Sequence, residues 1–555
     1  MTTRQLSLGV GVTGHRDIDP AAEADVRARV KEVFARLEKE LGKHIHVLSS
    51  LAEGADRLVA EIGLARGHRL IVPLPLPVED YVADFETPQS RAEFDGLLKR
   101  AERHFVAEQL APLPGEAPRD AAYRSAGVAV ARACHVLVAL WDGTDNHKSG
   151  GTADIVRIKR HGERVPLDET AGADGEDARK PHGAVVHITT PRASGEARPA
   201  VGIDWPSARS DAWRRVQAMA RRIKRFNRDA DWIGRRRPAL VTKSLQYLYG
   251  AEPAPPDSVA KLDRLAALYA VADALAIQRQ GWVRRGWRLL LGLGVLGVFA
   301  FGEYAHGHDH PVVWLATDVV VIAAAVALYW TMKWAKIQPR FLEYRALAEA
   351  MRVAFFWRAA ALPGDPADRY PGHIAREVES VSMALRNEEM LVDDPPPEPQ
   401  GLAFAIAHWV DGQRSFFRRA AHRDERWGRG LRIGADLAIG AGVLLAFVVL
   451  ALKVGWRVEI DDATLHHLIL AMLMLPTLGG ALATYTDRLG HEGQARQYER
   501  MHDLFELATG ELKANAHDPP RQRAILARLA SEALSEHAHW VVLHRQRPFE
   551  VKMGG

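Results

Sequence analysis

Leu289–Tyr304 reads LLLGLGVLGVFAFGEY and Val312–Met332 reads VVWLATDVVVIAAAVALYWTM, two apolar runs separated by the polar turn Ala305–Pro311. The second run is long enough to cross a hydrocarbon core, for which about 20 residues are needed, and the first sits at the lower limit. A second pair, Ile433–Val454 and Leu465–Tyr485, repeats the pattern. The expectation is four membrane-crossing helices arranged as two hairpins, attached to a chain whose composition elsewhere is that of a soluble protein.

That contrast shows in the totals. Over 555 residues the net charge is +4, and the mean hydropathy of −0.16 is a soluble value, so the apolar residues are concentrated in a few segments. The arginines are clustered, which fits local basic faces at membrane flanks better than a general nucleic-acid surface, and no nucleic-acid partner is expected. The single cysteine, Cys134, excludes an internal disulfide framework and a Cys-rich zinc site, and its context ARACHVLVAL reads as a buried thiol entering a strand. MTTRQLSLGVGVTGH carries no long apolar run before its glycines, so no cleaved signal peptide is expected, and the N-terminal part is read as cytoplasmic.

The first 200 residues alternate short apolar runs with helical patterns. Strands are expected at Leu6–Val12, Ile45–Ser49, Arg69–Leu74, Val136–Leu140 and Val185–Thr189, with helices at Ala21–Leu41, after Gly54 through Leu64, at Ala121–Arg132 and at Thr152–His161. Such alternation implies a Rossmann-like, doubly wound, mostly parallel α/β sheet, followed here by an all-α membrane domain. Ligands of such sheets sit beyond the carboxyl ends of the strands. The residues expected there are Gly14, His15 and Arg16 after the first strand, and Ser49, Ser50, Glu53 and Gly54 after the second. Trp141-Asp142-Gly143 follows the fourth, and Ser149-Gly150-Gly151-Thr152 precedes a helix. Glycines let the backbone approach a phosphate, a helix N-terminus offers free N–H groups, and Arg16 can pair with a phosphate oxygen. The bland alternative is that these glycines only make tight turns.

GVTGHRDI, SSLAEGADRLVAE, VPLPLPVEDYVADF, CHVLVALWDG and SGGTADIV, taken together over about residues 5 to 190, resemble the SLOG superfamily of Rossmann-like nucleotide-sensing and nucleotide-processing domains. The resemblance implies a nucleotide or NAD-derived ligand, of the cyclic-nucleotide or ADP-ribose type, with GHR and GGT at its phosphates and ribose and no further cofactor. The hydrolase branch carries PGGxGTxxE; Ser149–Asp154 lacks its proline, its second Gly-Thr and its glutamate. That departure favours a sensor over a hydrolase and leaves Glu53 and Asp154 as the only acid/base candidates.

Between the two parts, Glu163–Pro181 reads as an acidic, Gly-rich surface insertion. Trp213–Pro238 is strongly basic with an apolar stripe at Val216, Ala220, Ile223 and Phe226, which suits either anionic lipid or packing on a neighbouring helix. Arginines and lysines flank both hairpins on one side, while the loop Ala305–Pro311 has none, which places both chain ends in the cytoplasm by the positive-inside rule. PRFLEYRALAEAMRVAFFW after the first hairpin and GQARQYERMHDLFELAT after the second align Tyr344 with Tyr498. A hairpin followed by such a helix resembles the SLATT two-helix effector modules of bacterial conflict systems. That resemblance implies membrane permeabilisation in antiphage defence, a bacterial cytoplasmic membrane, a homo-oligomer, and a nucleotide-generating enzyme encoded nearby. The expected segments are 1–205 (nucleotide binding), 206–256 (basic helix and linker), 257–389 (hairpin 1 and its helix), 390–401 (Pro-rich linker) and 402–555 (hairpin 2 and its helix).

Inside the apolar runs, Asp318 and Asp436 are carboxylates that are costly in lipid and usually face water or a partner, and Pro476 is a potential kink; all three are pore or gating candidates. Gly292–Gly297 is formally GxGxxG but lies within an apolar helix with no preceding strand, so close helix packing explains it better, as it does Gly440/Gly442 and Gly479/Gly480. His306, His308 and His310 are spaced for chelation but lack a carboxylate framework, so no metal is expected. The reading is a cytoplasmic nucleotide sensor controlling a membrane effector. Its rivals are a membrane-tethered nucleotide N-glycosidase or phosphoribohydrolase and a regulated transporter.

Overall fold

The computed structural model describes residues 5–145, 148–162, 183–195, 198–250, 255–306, 310–371, 374, 377–393 and 398–545, without the side chains of His491 and Glu492. The insertion read at Glu163–Pro181, His308 of the histidine loop and most of the DDPPPEP linker lie outside these residues. The chain divides into two compact units.

The N-terminal unit comprises residues 1–272, 346–404 and 530–542. Its first part runs β1 (Leu8–Gly14), α1 (Glu23–Leu41), β2 (Ile45–Leu48), α2 (Ala55–Ala65), β3 (Arg69–Leu74), α3 (Val78–Val82), α4 (Pro88–Leu98), β4 (Arg103–Val106), α5 (Pro118–Ala133), β5 (Val136–Trp141), α6 (Thr152–His161), β6 (Ala184–Thr189) and β7 (Gly202–Asp204). The sheet order is β4-β3-β2-β1-β5-β6-β7, parallel throughout except for β7, which is antiparallel to β6. Val10 of the central strand lies opposite Val47 on one side and Val136 on the other. The strands that read as unbroken apolar runs are covered on both faces, as a parallel sheet requires. On one face, Leu48, Ile71, Val128, Leu137, Ile155, Val185 and Cys134 form a continuous core. Helix α1 meets the sheet through Val26, Val30, Val33, Phe34, Leu37 and Leu41, one stripe at helical spacing, and ends at Gly42, whose φ of 112° suits glycine.

Two strands escaped the sequence reading, and both are edge strands. β4 is RHFV with alternating exposure, and β7 has three residues, so neither carries the continuous apolar run that marks the interior strands. The basic helix read at Trp213–Pro238 is α7 (Asp211–Arg236), and its stripe Val216, Ala220, Ile223 and Phe226 is buried within this unit, which settles the choice in favour of protein packing over lipid. After α7 come α8 (Pro238–Tyr249), α9 (Asp257–Ala260) and α10 (Asp263–His306).

The compact units cut across the segments read from the sequence. Residues 346–404, read as the helix of hairpin 1 and a linker, pack with the sheet. They include the end of α12 (Ile337–Ala359), α13 (Glu379–Glu389) and α14 (Pro399–Phe404), α11 (Pro311–Trp334) preceding them in the other unit. Asn387 of α13 donates through Nδ2 to Ser7 O at 2.8 Å and meets His46 Nε2 through Oδ1 at 2.7 Å. Glu388 accepts the Ser7 N–H at 2.9 Å and pairs with Arg264 at the start of α10.

The second unit, residues 273–345, 405–529 and 543–555, carries the apolar stretches. Its remaining helices are α15 (Gly412–Leu450), α16 (Asp462–Leu489) and α17 (His491–Ala514), with π-helical turns at Ala405–Asp411 and Ala451–Gly455; α18 (Pro519–Arg545) follows. Among the described residues, four helices are long and apolar enough to cross a membrane. Within hairpin 1, Phe299 meets Trp314 edge-on at 5.8 Å, and a Cβ on Gly297 would lie 3.3 Å from the Asp318 carboxylate. Within hairpin 2, a Cβ on Gly442 would lie 2.6 Å from Pro476, and one on Gly479 would lie 2.7 Å from Ala435 O. The hairpins meet through α10 and α16, where Gly302 faces Leu470 and Leu473, Glu303 pairs with His466 at 3.2 Å, and Arg488 stacks over Trp287. Close packing thus accounts for Gly297, Gly302, Gly442 and Gly479, whereas a Cβ added at Gly292, Gly294, Gly440 or Gly480 would meet no neighbouring side chain or helix within 4 Å among the described residues.

Candidate ligand-binding site at the switch point

The strand order reverses between β1 and β5, and the carboxyl ends of the strands at such a switch point are where sheets of this kind hold ligands. Three glycines shape the backbone there. A Cβ on Gly14 would lie 2.5 Å from Leu140 O. Gly54 has a φ of 73°, and a Cβ there would lie 2.6 Å from His15 O, because the loops after β1 and β2 touch backbone to backbone. Ala55 N–H, one of the free donors at the start of α2, is taken by His15 O at 3.0 Å. Gly150 has a φ of 70° and presses on the backbone of Arg124, whereas Gly151 has an ordinary φ of −72° and N-caps α6, with Thr152 as its first residue.

His15 is placed by β1 and β5 together. Its Nε2 accepts the Asp142 N–H at 2.9 Å, with Asp142 Oδ1 at 3.3 Å. Burial lowers the His15 pKa, so the ring is neutral at pH 7 with its proton on Nδ1, the tautomer that the Nε2 acceptor role requires. Burial works against ionised Asp142, but the Thr144 amide and His15 outweigh it and hold the carboxyl below its usual range. Arg16 is exposed and lies over the Tyr123 ring at 5.0 Å. Tyr123 and Arg124 are neighbours on α5, so this helix brings the Arg16 side of the crevice to the Gly150 turn.

The loop after β2 is held under strain. Leu51 is fully buried with a φ of 57°, a conformation that costs a non-glycine residue about 1 kcal/mol or more. Ser49 Oγ accepts the Leu51 N–H at 3.1 Å, and Arg57 Nε donates to Leu51 O at 3.1 Å. Ser49 is therefore buried as a brace, while Ser50 is half-buried. This path turns the amides of Ser50 and Ala52 onto the carboxylate of Asp56, which burial raises to about 7 against those amides and the Arg16 charge. Glu53 accepts from Ser90 Oγ at the start of α4. Asp154 accepts the Gly150 N–H at 3.0 Å and pairs with Arg157. Both acid/base candidates are thus engaged in structural bonds, Glu53 with α4 and Asp154 with the turn before α6. Ser149 Oγ donates to Glu116 at 2.5 Å, and Arg124, with further hydrogen bonds, lowers Glu116 to about 2.

Asp56, Tyr81 and Tyr123 were missed from sequence, although Asp56 lies in SSLAEGADRLVAE and Tyr81 in VPLPLPVEDYVADF. Tyr81 stacks edge-on with Phe85 and Phe94 at 5.0 and 5.6 Å. Its hydroxyl and Arg57 Nη2 are buried with no partner among the described residues. Burial and then Asp56 push the phenol pKa up, so it stays a donor. Buried donors of this kind call for an acceptor, and a ligand or water would supply one.

In the apolar helices Asp318 is half-buried against Gly297, Asp436 is exposed on α15, and α16 continues through Pro476. No group of histidine, cysteine and acidic residues among the described residues is arranged to hold a metal. No protein-family model, curated protein or solved structure matches the chain.

Proposed function

We propose that this chain is a membrane effector gated by a nucleotide or NAD-derived signal, of the cyclic-nucleotide or ADP-ribose type, bound at the switch-point crevice. It acts as a homo-oligomer in the bacterial cytoplasmic membrane, with both ends in the cytoplasm, and permeabilises that membrane in antiphage defence. The observation that carries the reading is a set of glycine-shaped loops at the switch point of a parallel sheet, near buried donors with no acceptor among the described residues, in one chain with four long apolar helices among those residues. Helix α10 is continuous from Arg264, which pairs with Glu388 beside β1, to the end of the first apolar run. The exposed Asp436 on an apolar helix supports the oligomer, since an intramembrane carboxylate is costly unless a partner or water covers it. Gating requires tighter ligand binding to the open state than to the closed one.

Purified full-length protein in dye-loaded liposomes tests this. Cyclic dinucleotides, ADP-ribose and cyclic ADP-ribose are added in turn; one should release dye, and Arg16→Ala should need about tenfold more of it, as loss of one charge-assisted contact implies. No release with any of them refutes the reading. The hydrolase alternative has one feature in its favour: Asp56, at about 7, has the pKa of a working general acid. Turnover of NAD or a nucleoside monophosphate by the full chain, abolished in Asp56→Asn, would replace the sensor with an enzyme.

A further inference from the structure

The contacts within the second unit set its four apolar helices in one antiparallel register. A Cβ on Gly286 of α10 would collide with Met332 of α11, Arg488 of α16 lies over the Trp287 ring of α10 at 5.4 Å, and a Cβ on Gly434 of α15 would lie 3.8 Å from Leu482 of α16. Followed from Leu482 to Arg488, about 9 Å of helix, the same register brings Arg426 and Trp427 of α15 level with Arg488. Arg285, Arg288 and Lys333 stand within a turn of the contact between Gly286 and Met332, so basic side chains from all four helices share one level. Arg285, Arg288 and Arg426 are exposed and make no ion pair among the described residues, and Lys333 lies over the Trp330 ring at 5.2 Å. Of the acidic side chains near this level, Glu425 is taken by Arg429 and Asp424 by Arg423, and Asp487 is exposed beside Arg488. Two large aromatic rings stand almost uncovered among these cations: Trp334 is 76 % exposed and Trp427 63 %. Arg288 and Glu303 bracket 14 uncharged residues of α10. That is about 22 Å of helix, short of a hydrocarbon core of about 30 Å. The far end is mixed in charge, with Lys453 and Arg457 beside Glu459, Asp461 and Asp462.

We infer that this level is a binding surface for anionic phospholipid headgroups, their phosphate oxygens received by Arg285, Arg288 and Lys333 of hairpin 1 and by Arg426 of hairpin 2, with Trp334 and Trp427 at headgroup depth. The inference rests on the four helices crossing a membrane and not on nucleotide gating. An uncharged stretch shorter than the core draws the flanking side chains along the helix axis, their stems in the apolar layer and their charged ends at the phosphates. Exposed tryptophans at the edge of an apolar band mark the membrane–water interface. A symmetric second copy of the chain seated on this level would set the same cations against one another, whereas anionic lipids cancel them. Guanidinium forks match phosphate oxygens, which zwitterionic lipid offers only beside its own cation. Because Lys333 and Arg426 belong to different hairpins, a leaflet rich in anionic lipid relieves the repulsion that their shared level creates and favours the packing of the two hairpins.

Full-length protein is reconstituted into vesicles of equimolar phosphatidylcholine and phosphatidylglycerol and extracted in mild detergent, and the two lipids that co-purify are quantified. The expected ratio favours phosphatidylglycerol about fivefold or more, the effect of one well-placed cation at an anionic surface. The combined variant Arg285→Gln, Arg288→Gln, Lys333→Gln and Arg426→Gln should return to the bulk ratio. Lysine at the three arginine positions should keep most of the enrichment, which separates loss of charge from loss of fold, and Lys453→Gln with Arg457→Gln at the far end should leave it unchanged. Equal retention of the two lipids by the wild-type chain overturns the inference, as does enrichment that survives the four glutamines. Enrichment lost in the Lys453 and Arg457 variant overturns the assignment to this end. A chain that enters neither these vesicles nor pure phosphatidylcholine removes the membrane reading itself, whereas entry without enrichment removes the lipid surface alone.

Discussion

Asp56→Asn separates the electrostatics of the crevice from its shape. In the folded chain burial raises this carboxyl from its ordinary 3.8 to about 7. Between those values the folded state holds a proton that the unfolded chain has released, so stability falls as pH rises. The contribution is full below about pH 4 and lost as pH climbs through about 7. The gap corresponds to about 4 kcal/mol, at 1.36 kcal/mol for each decade of proton affinity. Asparagine keeps an oxygen for the amides of Ser50 and Ala52 and cannot ionise. The variant should therefore match wild type near pH 4 and exceed it by up to about 4 kcal/mol near pH 8. Urea titrations followed by hydrogen exchange of the β1 and β2 peptides report the N-terminal unit alone, which avoids treating a two-unit chain as two-state. Parallel pH profiles for the two proteins would refute the burial of an ionisable Asp56. If an anionic ligand docks beside it, the same ionisation lowers wild-type affinity above about pH 7, and Asp56→Asn removes that fall.

Two further perturbations follow from the same packing. Glu388→Ala removes a buried carboxylate from Arg264 and the acceptor from Ser7 N–H; the expected loss is about 3–5 kcal/mol, read by hydrogen exchange of β1, and Glu388→Leu combined with Arg264→Met should lose far less. Gly54→Ala forces a side chain into a φ of 73° and onto His15 O, so it should cost more than about 1 kcal/mol and deprotect residues 45–65, whereas Gly151→Ala, at an ordinary φ, should be nearly neutral in the same measurement.

The fold class was legible because the interior strands announce themselves. β3 and α6 have the same bounds in sequence and structure, since LIVPL is an unbroken apolar run after a polar turn and TADIVRIKRH begins behind two glycines. RHFV and GID were invisible because an edge strand needs no continuous apolar run. The glycines at the switch point were legible as well, at the end of a strand or just before a helix, and Gly14, Gly54 and Gly150 prove to stand where a side chain would collide. Asp56, Tyr81 and Tyr123 were not, because their environment is made by α2, α3 and α5 converging, which no local spacing encodes. Ser49, Glu53 and Asp154 show the converse: a polar residue that looks free in the sequence can be engaged by its own loop, as Ser49 and Asp154 are, or by a distant helix, as Glu53 is by Ser90 of α4. One signal was present but unread. In α12, Ala346, Leu347, Ala350, Met351, Ala354 and Phe355 are buried along with Ala348 and Phe356, and a helix apolar around most of its circumference belongs in a core, not on a solvated tail.

The return of that segment changes how the chain must be divided. β1 begins at Leu8, and the backbone just ahead of it is paired by side chains from distant helices instead of by another strand. Asn227 of α7 takes both the N–H and the carbonyl of Leu6, at 2.8 and 2.9 Å. Asn387 and Glu388 of α13 take the carbonyl and the N–H of Ser7. A Cβ on Gly9 would collide with the Asn387 carboxamide, so the central strand is also contoured to this helix. Glu388 is fully buried and its pKa is raised by that burial, with Arg264 opposing. Burying an ion pair is seldom the most stable solution, since well-packed apolar side chains of similar volume are usually as good or better. What it supplies is a directional link: the base of the central strand, the end of α13 and the first turn of α10 are joined by paired polar groups. The sheet therefore cannot be separated from residues 264 and 387–388 without exposing the backbone of its central strand. Residues 1–205 by themselves do not include Asn227, Asn387 and Glu388, whose side chains pair the backbone of Leu6 and Ser7.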